Sequence, residues 1–479
     1  MIHETYQFVV LIPYAAALLL VALPGYRTGA IVNVVASGLT FAAGLWLVGG
    51  ERTVGHYAIV DEFNIVFIAI NTLVGFTTSI FSASYIGHEI ETGRLPPNFV
   101  RFYHAMFQAM MGSMNVALVA NNIGVMWVGL EIATLITVVM VGLYRTPQSI
   151  EAAWKYFILA SVGISLAFFG TILIYLAGQP ALGEGVPAMT WSLLEAAAAK
   201  MDPAILDLAF IFLLIGYGTK VGLAPLHAWL PDAHAEGPTP ISAVLSGLLL
   251  NVALYALLRF KMVIAGQPAA LDPGPVMITM GLVSLIFAAF MLYQRRDIKR
   301  LFAYSSIEHM GLIVFAFGMG GPLANFAGLL HMAMHSLTKS GIFFAVGHIA
   351  QAKGTQRIAE ITGLSETHPR LAVAFALAVL AICGMPPFGV FASEFLILTT
   401  TFAREPWLAL LPAFGLLVAF GALLMRLQGT IFGEPTGAAH PVKASFVPII
   451  MHLLLVLTAG IYLPAALVAW FRRAAELLG

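Results

Sequence analysis

The sequence predicts an all-α polytopic membrane protein of about fourteen transmembrane helices, since each span needs roughly 20 apolar residues. Three observations carry this reading. Of the 479 residues, 60% are hydrophobic and only 10% are charged, against roughly 25% charged in a soluble protein. The mean hydropathy is +0.92. Apolar runs recur from end to end with short loops between them, so residues 1–479 form a single integral membrane domain with no room for a soluble one. This composition excludes a soluble globular domain and a disordered chain. The 23 basic and 23 acidic residues balance, which leaves no electrostatic pull on nucleic acid. The lipid bilayer is the first partner implied.

In chain order the spans fall at 6–24, 29–49, 62–84, 103–121, 122–143, 152–177, 204–231, 238–260, 274–293, 298–319, 323–350, 370–400, 405–429 and 444–471. The first begins after Met1-Ile2-His3-Glu4. It lacks the basic region of a signal peptide and is expected to be retained. Only Asn121-Asn122-Ile123-Gly124 divides the fourth span from the fifth. An even number of spans puts both termini on one side. Thirteen basic residues, Lys299 and Lys353 among them, are read as charges of the loops after odd-numbered spans or of the span ends beside them, and seven, Arg259 and Lys261 among them, lie on the other side. The positive-inside bias therefore places the odd loops in the cytoplasm and both termini outside.

The three remaining basic residues, Lys220, Lys339 and Arg426, fall inside spans. A charge at the bilayer centre costs about 2.5–3.5 kcal/mol, and such residues usually line a bundle interior or an ion path. Glu131 lies deep in span 5 and Lys220 deep in span 7, so each demands a partner. Span 10 opens with Glu308 and His309. Span 11 carries His331, His335 and Lys339, four residues apart and hence on one helical face. Span 12 carries Glu394 and span 13 carries Arg426. A lone polar group in a bundle often serves as interhelical glue, and Glu131–Lys220 has a static salt bridge as its bland alternative. A static pair does not need a row of further titratable groups beyond it.

Two spans are interrupted. Span 7 passes through Gly222, Pro225, His227 and Pro231, with His234 just beyond, and span 12 through Cys383-Gly384-Met385-Pro386-Pro387-Phe388-Gly389. Proline inside a helix removes a backbone hydrogen bond. Broken backbone at membrane depth survives only against protein or a water-filled cavity. Broken helices at corresponding positions of two halves point to a transport path. Gly222-Leu223-Ala224-Pro225-Leu226 matches Gly384-Met385-Pro386-Pro387-Phe388 five spans later. The expected architecture is therefore two five-helix repeats, spans 4–8 (residues 103–260) and 9–13 (residues 274–429). An odd number of spans per repeat makes them inverted relative to each other. On this offset Glu131 corresponds to Glu308 and Asn251 to Arg426.

These stretches also resemble a known family. Gly216-Tyr217-Gly218-Thr219-Lys220-Val221-Gly222-Leu223-Ala224-Pro225-Leu226-His227-Ala228-Trp229-Leu230-Pro231-Asp232-Ala233-His234 is similar to the signature of the antiporter-like proton-pumping subunits of respiratory complex I, membrane-bound hydrogenases and multisubunit cation/proton antiporters. Asp297-Ile298-Lys299-Arg300-Leu301-Phe302-Ala303-Tyr304-Ser305-Ser306, His335-Ser336-Leu337-Thr338-Lys339 and Phe391-Ala392-Ser393-Glu394-Phe395 are further family motifs. The likeness runs from about residue 60 to 430. Gly247–Ala256, Glu151–Phe157 and Glu308-His309 resemble hydrogenase-4 component F most. The resemblance implies that Glu131 modulates Lys220, that Lys220 is the switching base, and that Glu394 is the exit acid. Between them the proton moves through His331, His335 and Lys339. His227, His234, Glu308, His309 and Arg426 are secondary candidates. The sequence departs from the family at Asn251, where many members carry a lysine in the connecting chain. Asparagine orients water but does not titrate.

The resemblance implies a bacterial cytoplasmic (inner) membrane, other membrane subunits as neighbours, and a peripheral redox module. That module would hold any NiFe centre and iron–sulfur clusters. Cys383 is the single cysteine, so this chain is expected to bind no thiolate cluster, metal or other cofactor. Two other readings stand beside redox-driven proton (or Na⁺) translocation. One is a subunit of a cation/proton antiporter without a redox module. The other is a membrane scaffold that has lost transport, which Glu131, Lys220, Lys339 and Glu394 argue against. Oxidoreductase activity would belong to the complex.

Overall fold

The computed structural model describes residues 5–23 and 25–479. The expectations resting on Met1–Glu4, on residue 24 and on the side chain of Arg101 lie outside what is described. The chain is a mostly helical membrane protein. Nine of its helices are long and apolar enough to cross a membrane among the described residues, or ten if one sharply bent pair is a single span.

The elements begin with α1 (Tyr6–Ala22) and α2 (Tyr26–Gly49). A small hairpin follows, β1 (Thr53–Val54) and β2 (Ile59–Val60), paired antiparallel with Thr53 opposite Val60. The sequence reading had only a loop there. Next come α3 (Glu62–Glu91), α4 (Pro97–Val119), α5 (Ile123–Val141), α6 (Pro147–Leu182), the short α7 (Trp191–Ala197) and α8 (Pro203–Val221). Beyond a break lie α9 (Trp229–Glu236), α10 (Thr239–Val244) and α11 (Leu250–Ala265). The second half holds α12 (Pro273–Leu292), α13 (Ile298–Met319), α14 (Pro322–Lys353), α15 (Leu364–Thr367), α16 (Pro369–Ile382), α17 (Gly389–Arg404) and α18 (Pro406–Phe432). The chain closes with α19 (Val447–Ile461) and α20 (Ala465–Glu476).

Helix starts follow capping chemistry. Asp61 and Asn64 form a reciprocal capping box at α3. Asn122, Thr146, Asp202, Asp272 and Asp297 each cap a helix by accepting from backbone N–H groups one turn in. Proline fills the first helical turn of α6, α8 and α12, where its missing N–H is not needed.

The interior consists of α10–α11, α13 and α14. In α14 every residue from Ala324 to Lys353 is buried, because α10, α13, α16, α17, α19 and α20 surround it. A helix wrapped by protein need not be apolar, so α14 holds polar groups that a lipid-facing span would exclude. The outer helices expose apolar side chains, such as Leu18 and Leu417. α12 and α13 meet backbone to backbone. A Cβ on Gly281 would lie 2.6 Å from the carbonyl oxygen of Gly311, so only glycine permits the approach.

Three expectations are corrected. The last span is not straight: α19 and α20 meet at 86°, where Pro464 cannot continue the helix. Arg259 and Lys261, read as loop charges, lie buried in α11, which runs on to Ala265. Arg259 pairs with Asp61 at 2.6 Å, and Lys261 donates to the Phe317 carbonyl at 2.8 Å. Lys299 and Lys353, also read as loop charges, are buried and bond backbone carbonyls. Lys299 binds those of Ala235 and Gly237 at the end of α9, where a cation complements the helix dipole.

Candidate functional site

The interruption in span 7 falls where glycine and proline predict it. α8 ends at Val221, and Gly222 takes a left-handed φ of 82°. The Leu223 N–H reaches back to the Gly218 carbonyl (2.9 Å) and the Gly222 N–H to that of Thr219 (3.2 Å), a Schellman ending. Trp229 Nε1 donates to the Thr219 carbonyl at 2.8 Å, and Ser284 Oγ accepts from the Ala224 N–H at 2.9 Å. Protein groups thus satisfy the opened backbone. The interruption in span 12 repeats the two backbone bonds of this Schellman ending. Gly384 has φ 65°, the Met385 N–H bonds the Leu380 carbonyl (3.1 Å), and the Gly384 N–H bonds that of Ala381 (3.2 Å).

The first break holds Lys220 in the last turn of α8, 1% exposed. Its ammonium donates to Thr134 Oγ1 on α5 and lies 5.4 Å from the centre of the Tyr156 ring. Glu131 sits one turn before Thr134, half-buried, with Oε2 lacking a hydrogen-bond partner. The two charges act on each other, but no ion pair closes between them within 4 Å. The pair is therefore open rather than a closed salt bridge, with Thr134 holding the lysine. Thr134 was not singled out from sequence, although it lies one turn from Glu131 on the same helical face.

The middle of the bundle is polar but mostly not titratable. Leu245–Leu249 forms a single turn of π-helix between α10 and α11, a distortion frequent at functional sites. Just beyond it, Asn251 Nδ2 donates to Ser336 Oγ (2.6 Å) on α14 and to the Gly247 carbonyl (2.9 Å). Its Oδ1 is buried without a partner. Ser246 Oγ and Ser306 Oγ are 2.6 Å apart. His234 is fully buried, stacked on Phe343 at 4.9 Å, with neither ring nitrogen bonded. His227 lies apart, against Phe287 and Tyr304.

The second half gathers the remaining groups. Lys339 Nζ donates to the Phe302 carbonyl at 3.2 Å. His309 Nδ1 and His331 Nε2 are 3.1 Å apart, and His331 Nδ1 meets Ser393 Oγ at 2.8 Å. Glu394 Oε1 is 3.9 Å from His309 Nδ1, and Glu308 Oε2 is 3.3 Å from His309 Nε2. His335 lies tilted against His309 with ring centres 5.6 Å apart. A Cβ on Gly384 would collide with Glu394 Oε2, so the left-handed glycine seats the carboxylate against the break. Donor atoms of His309, His331 and Glu394 all lie within 4.8 Å of one another, a spacing that serves a hydrogen-bonded relay or three metal ligands. Among the described residues, both oxygens of Glu308, both nitrogens of His335 and Glu394 Oε1 have no hydrogen-bond partner. Buried polar atoms in that state call for water.

Glu308 and His309, read as secondary candidates, thus stand at the centre of this cluster, while Arg426 does not reach it. Arg426 donates to the Tyr293 carbonyl at 2.7 Å and lines a cavity at the bundle end. Sequence reading also passed over buried Glu89, which accepts from Gln351 (2.8 Å) and Tyr144 (3.1 Å). Its place at the end of an ordinary apolar span gave no signal.

Residues 120–421 match the family model described as NADH:quinone oxidoreductase/Mrp antiporter, TM. The chain is 57% identical over 470 residues to the hydrogenase-4 component F homolog of Methylacidiphilum infernorum, covering 98% of this chain and 99% of that protein. The chain belongs to the NADH:quinone oxidoreductase/Mrp antiporter transmembrane family. Its fold is that of a chain in the archaeal membrane-bound sulfane sulfur reductase (TM-score 0.88, 22% identity, 99% of this chain and 97% of that one). A chain of respiratory complex I from Thermus thermophilus is similar as well (TM-score 0.83, 23% identity, 99% and 100% covered). This is an antiporter-like, multi-pass membrane subunit, and the solved relatives sit in multisubunit membrane complexes.

Proposed function

We propose that this subunit translocates protons across a bacterial inner membrane, driven by the redox module of a group 4 hydrogenase-like or complex I-like assembly. The observation that carries the reading is the set of polar groups inside the bundle from Glu131 through Thr134, Lys220, Asn251, Ser336, Lys339, Glu308, His309 and His331 to Glu394, joined in pairs at Lys220–Thr134, Asn251–Ser336, His309–His331 and His309–Glu394, with a matching helix break beside each end. The likeness of the breaks at Gly222 and Gly384 in these two backbone bonds supports two inverted repeats, residues 103–260 and 274–429, within fourteen spans. The loop charges favour both termini on the outer side. Partner subunits supply the NiFe centre and iron–sulfur clusters. Cys383 alone cannot ligate one.

In this mechanism Lys220 rests on Thr134 rather than on Glu131. A charge change arriving from a neighbouring subunit shifts Glu131 relative to Lys220, and the lysine releases or reloads its proton. Water held by Asn251 and Ser336 passes the proton across α11 without a titrating group. Lys339 and Glu308 receive it, and the His309–His331 pair delivers it to Glu394, which opens to the outer side.

Lys220→Ala or Glu131→Ala should abolish pumping in sealed vesicles while the complex assembles in normal yield. Normal pumping in both variants refutes the assignment. Pumping that follows Na⁺ rather than H⁺ changes the ion. A purified complex without nickel or iron–sulfur clusters supports the antiporter reading instead.

A further inference from the structure

One large cavity is not at the polar row. It lies at the end of the bundle where α12, α13 and α18 meet, and has a volume of about 960 Å³. Five arginines line it (Arg295, Arg296, Arg300, Arg357 and Arg426), against two carboxylates, Glu236 and Asp297. Two of the arginines are already neutralised. Arg300 pairs with Asp232 at 2.7 Å and Glu236 at 3.3 Å, and Arg357 pairs with Glu360 at 3.3 Å. Asp297 is engaged in capping α13.

Among the described residues, no carboxylate pairs with the other three arginines within 4 Å. Arg295 bonds the Met291 carbonyl (3.1 Å) and packs on the Tyr304 ring (4.7 Å). Arg426 bonds the Tyr293 carbonyl at 2.7 Å, with Nε buried and unpartnered. Arg296 is exposed, and only its backbone carbonyl is bonded, by the Ile358 N–H. Guanidinium groups present paired donors that match phosphate oxygens.

One edge of the cavity meets an exposed apolar surface. Met425 (49% exposed) lies on its rim, and Tyr293 (41%), Phe290 (50%) and Phe432 (75%) continue the apolar surface along α12 and α18. A basic pocket opening sideways onto such a surface suits the headgroup of an anionic lipid, whose acyl chains then lie on the neighbouring helices. The volume is in the range of a drug-sized ligand and exceeds the needs of one inorganic phosphate.

We propose that the cavity bounded by Arg295, Arg296 and Arg426 between α12 and α18 binds the phosphate headgroup of an anionic bilayer phospholipid. It is a site distinct from the polar row and does not rest on the transport reading. Arg426, a charge inside a span in the sequence, is there to meet the lipid phosphate. The three arginines form the polar wall, and the α12–α18 surface seats the acyl chains.

The test uses the intact complex purified in mild detergent, with bound phospholipid counted by mass spectrometry. Wild type should retain phosphatidylglycerol- or cardiolipin-class lipid that the Arg296→Gln/Arg426→Gln variant loses at least threefold. Arg473→Gln at another surface should lose none. Arg296→Gln alone, which breaks no contact within the chain, serves as a second variant if the double one fails to assemble. Phosphatidylglycerol vesicles should raise the wild-type melting temperature more than phosphatidylcholine vesicles do, and the difference should shrink in the variants. Equal lipid counts in wild type and variants overturn the proposal, as does equal stabilisation by both vesicle types. Full protection by millimolar inorganic phosphate alone would assign the site to free phosphate and overturn the lipid as its source.

Discussion

Replacing Asn251 with leucine tests the least titratable part of the path. The change deletes two donated hydrogen bonds, to Ser336 Oγ at 2.6 Å and to the Gly247 carbonyl at 2.9 Å. Each contributes about 1 kcal/mol net. It also deletes Oδ1, buried without a partner, whose desolvation costs about 1–3 kcal/mol. Ser336 keeps its bond to the Met332 carbonyl at 2.8 Å, so no new orphan appears on that side. These effects offset each other, and stability should move by about 1 kcal/mol or less in either direction. Transport should respond quite differently. Without an amide to hold water, a proton crossing α11 meets apolar surroundings, at a cost of about 2.5–3.5 kcal/mol. At about 1.4 kcal/mol per factor of ten in rate, pumping should fall on the order of 100-fold. The assay is proton uptake by sealed vesicles, with a pH-sensitive dye, beside complex yield and melting temperature. Pumping within twofold of wild type, in a fully assembled Asn251→Leu complex, would refute a path through this position.

Three further outcomes follow from the geometry. Thr134→Val removes the acceptor that holds the Lys220 ammonium while keeping the side-chain shape, so pumping should drop at least tenfold with the complex intact, as read in the same vesicles. Gly384→Ala meets both a left-handed φ of 65°, costing roughly 1–2 kcal/mol, and a collision with Glu394 Oε2; a lower melting temperature and lost pumping should appear together. Asp61→Asn retains a capping oxygen for α3 but removes the carboxylate charge 2.6 Å from buried Arg259 and leaves that guanidinium unpaired, which should destabilise by about 3–5 kcal/mol and be seen as reduced complex yield.

Much of this was legible in the sequence because the bilayer is an unforgiving solvent. Ionisable residues are rare in spans, so Glu131, Lys220, His331, His335, Lys339 and Glu394 stand out against their apolar neighbours, and glycine with proline marks both breaks. Other features carried no such mark. Ser336, Ser393 and Thr134 belong to residue types common in any helix, and only their partners across the bundle give them a part in the row. The bend between α19 and α20 left the apolar run unbroken in composition. Arg259 lay beside the expected end of a span, and it needed the distant Asp61 to become an interior charge.

The sequence by itself determined the environment, the helical class, the family and the inventory of titratable groups. Each follows from local quantities: hydropathy, capping, periodicity and motif. The tertiary structure decided which groups meet. It opened the Glu131–Lys220 pair and set the lysine on Thr134, joined Asn251 to Ser336, and brought Glu308 and His309 into the cluster with Glu394. It also carried Arg426 out to a basic cavity at the bundle end. The reason is physical: hydrogen bonds and charge pairs act over a few ångströms, and which side chains come that close depends on how helices far apart in sequence pack against one another.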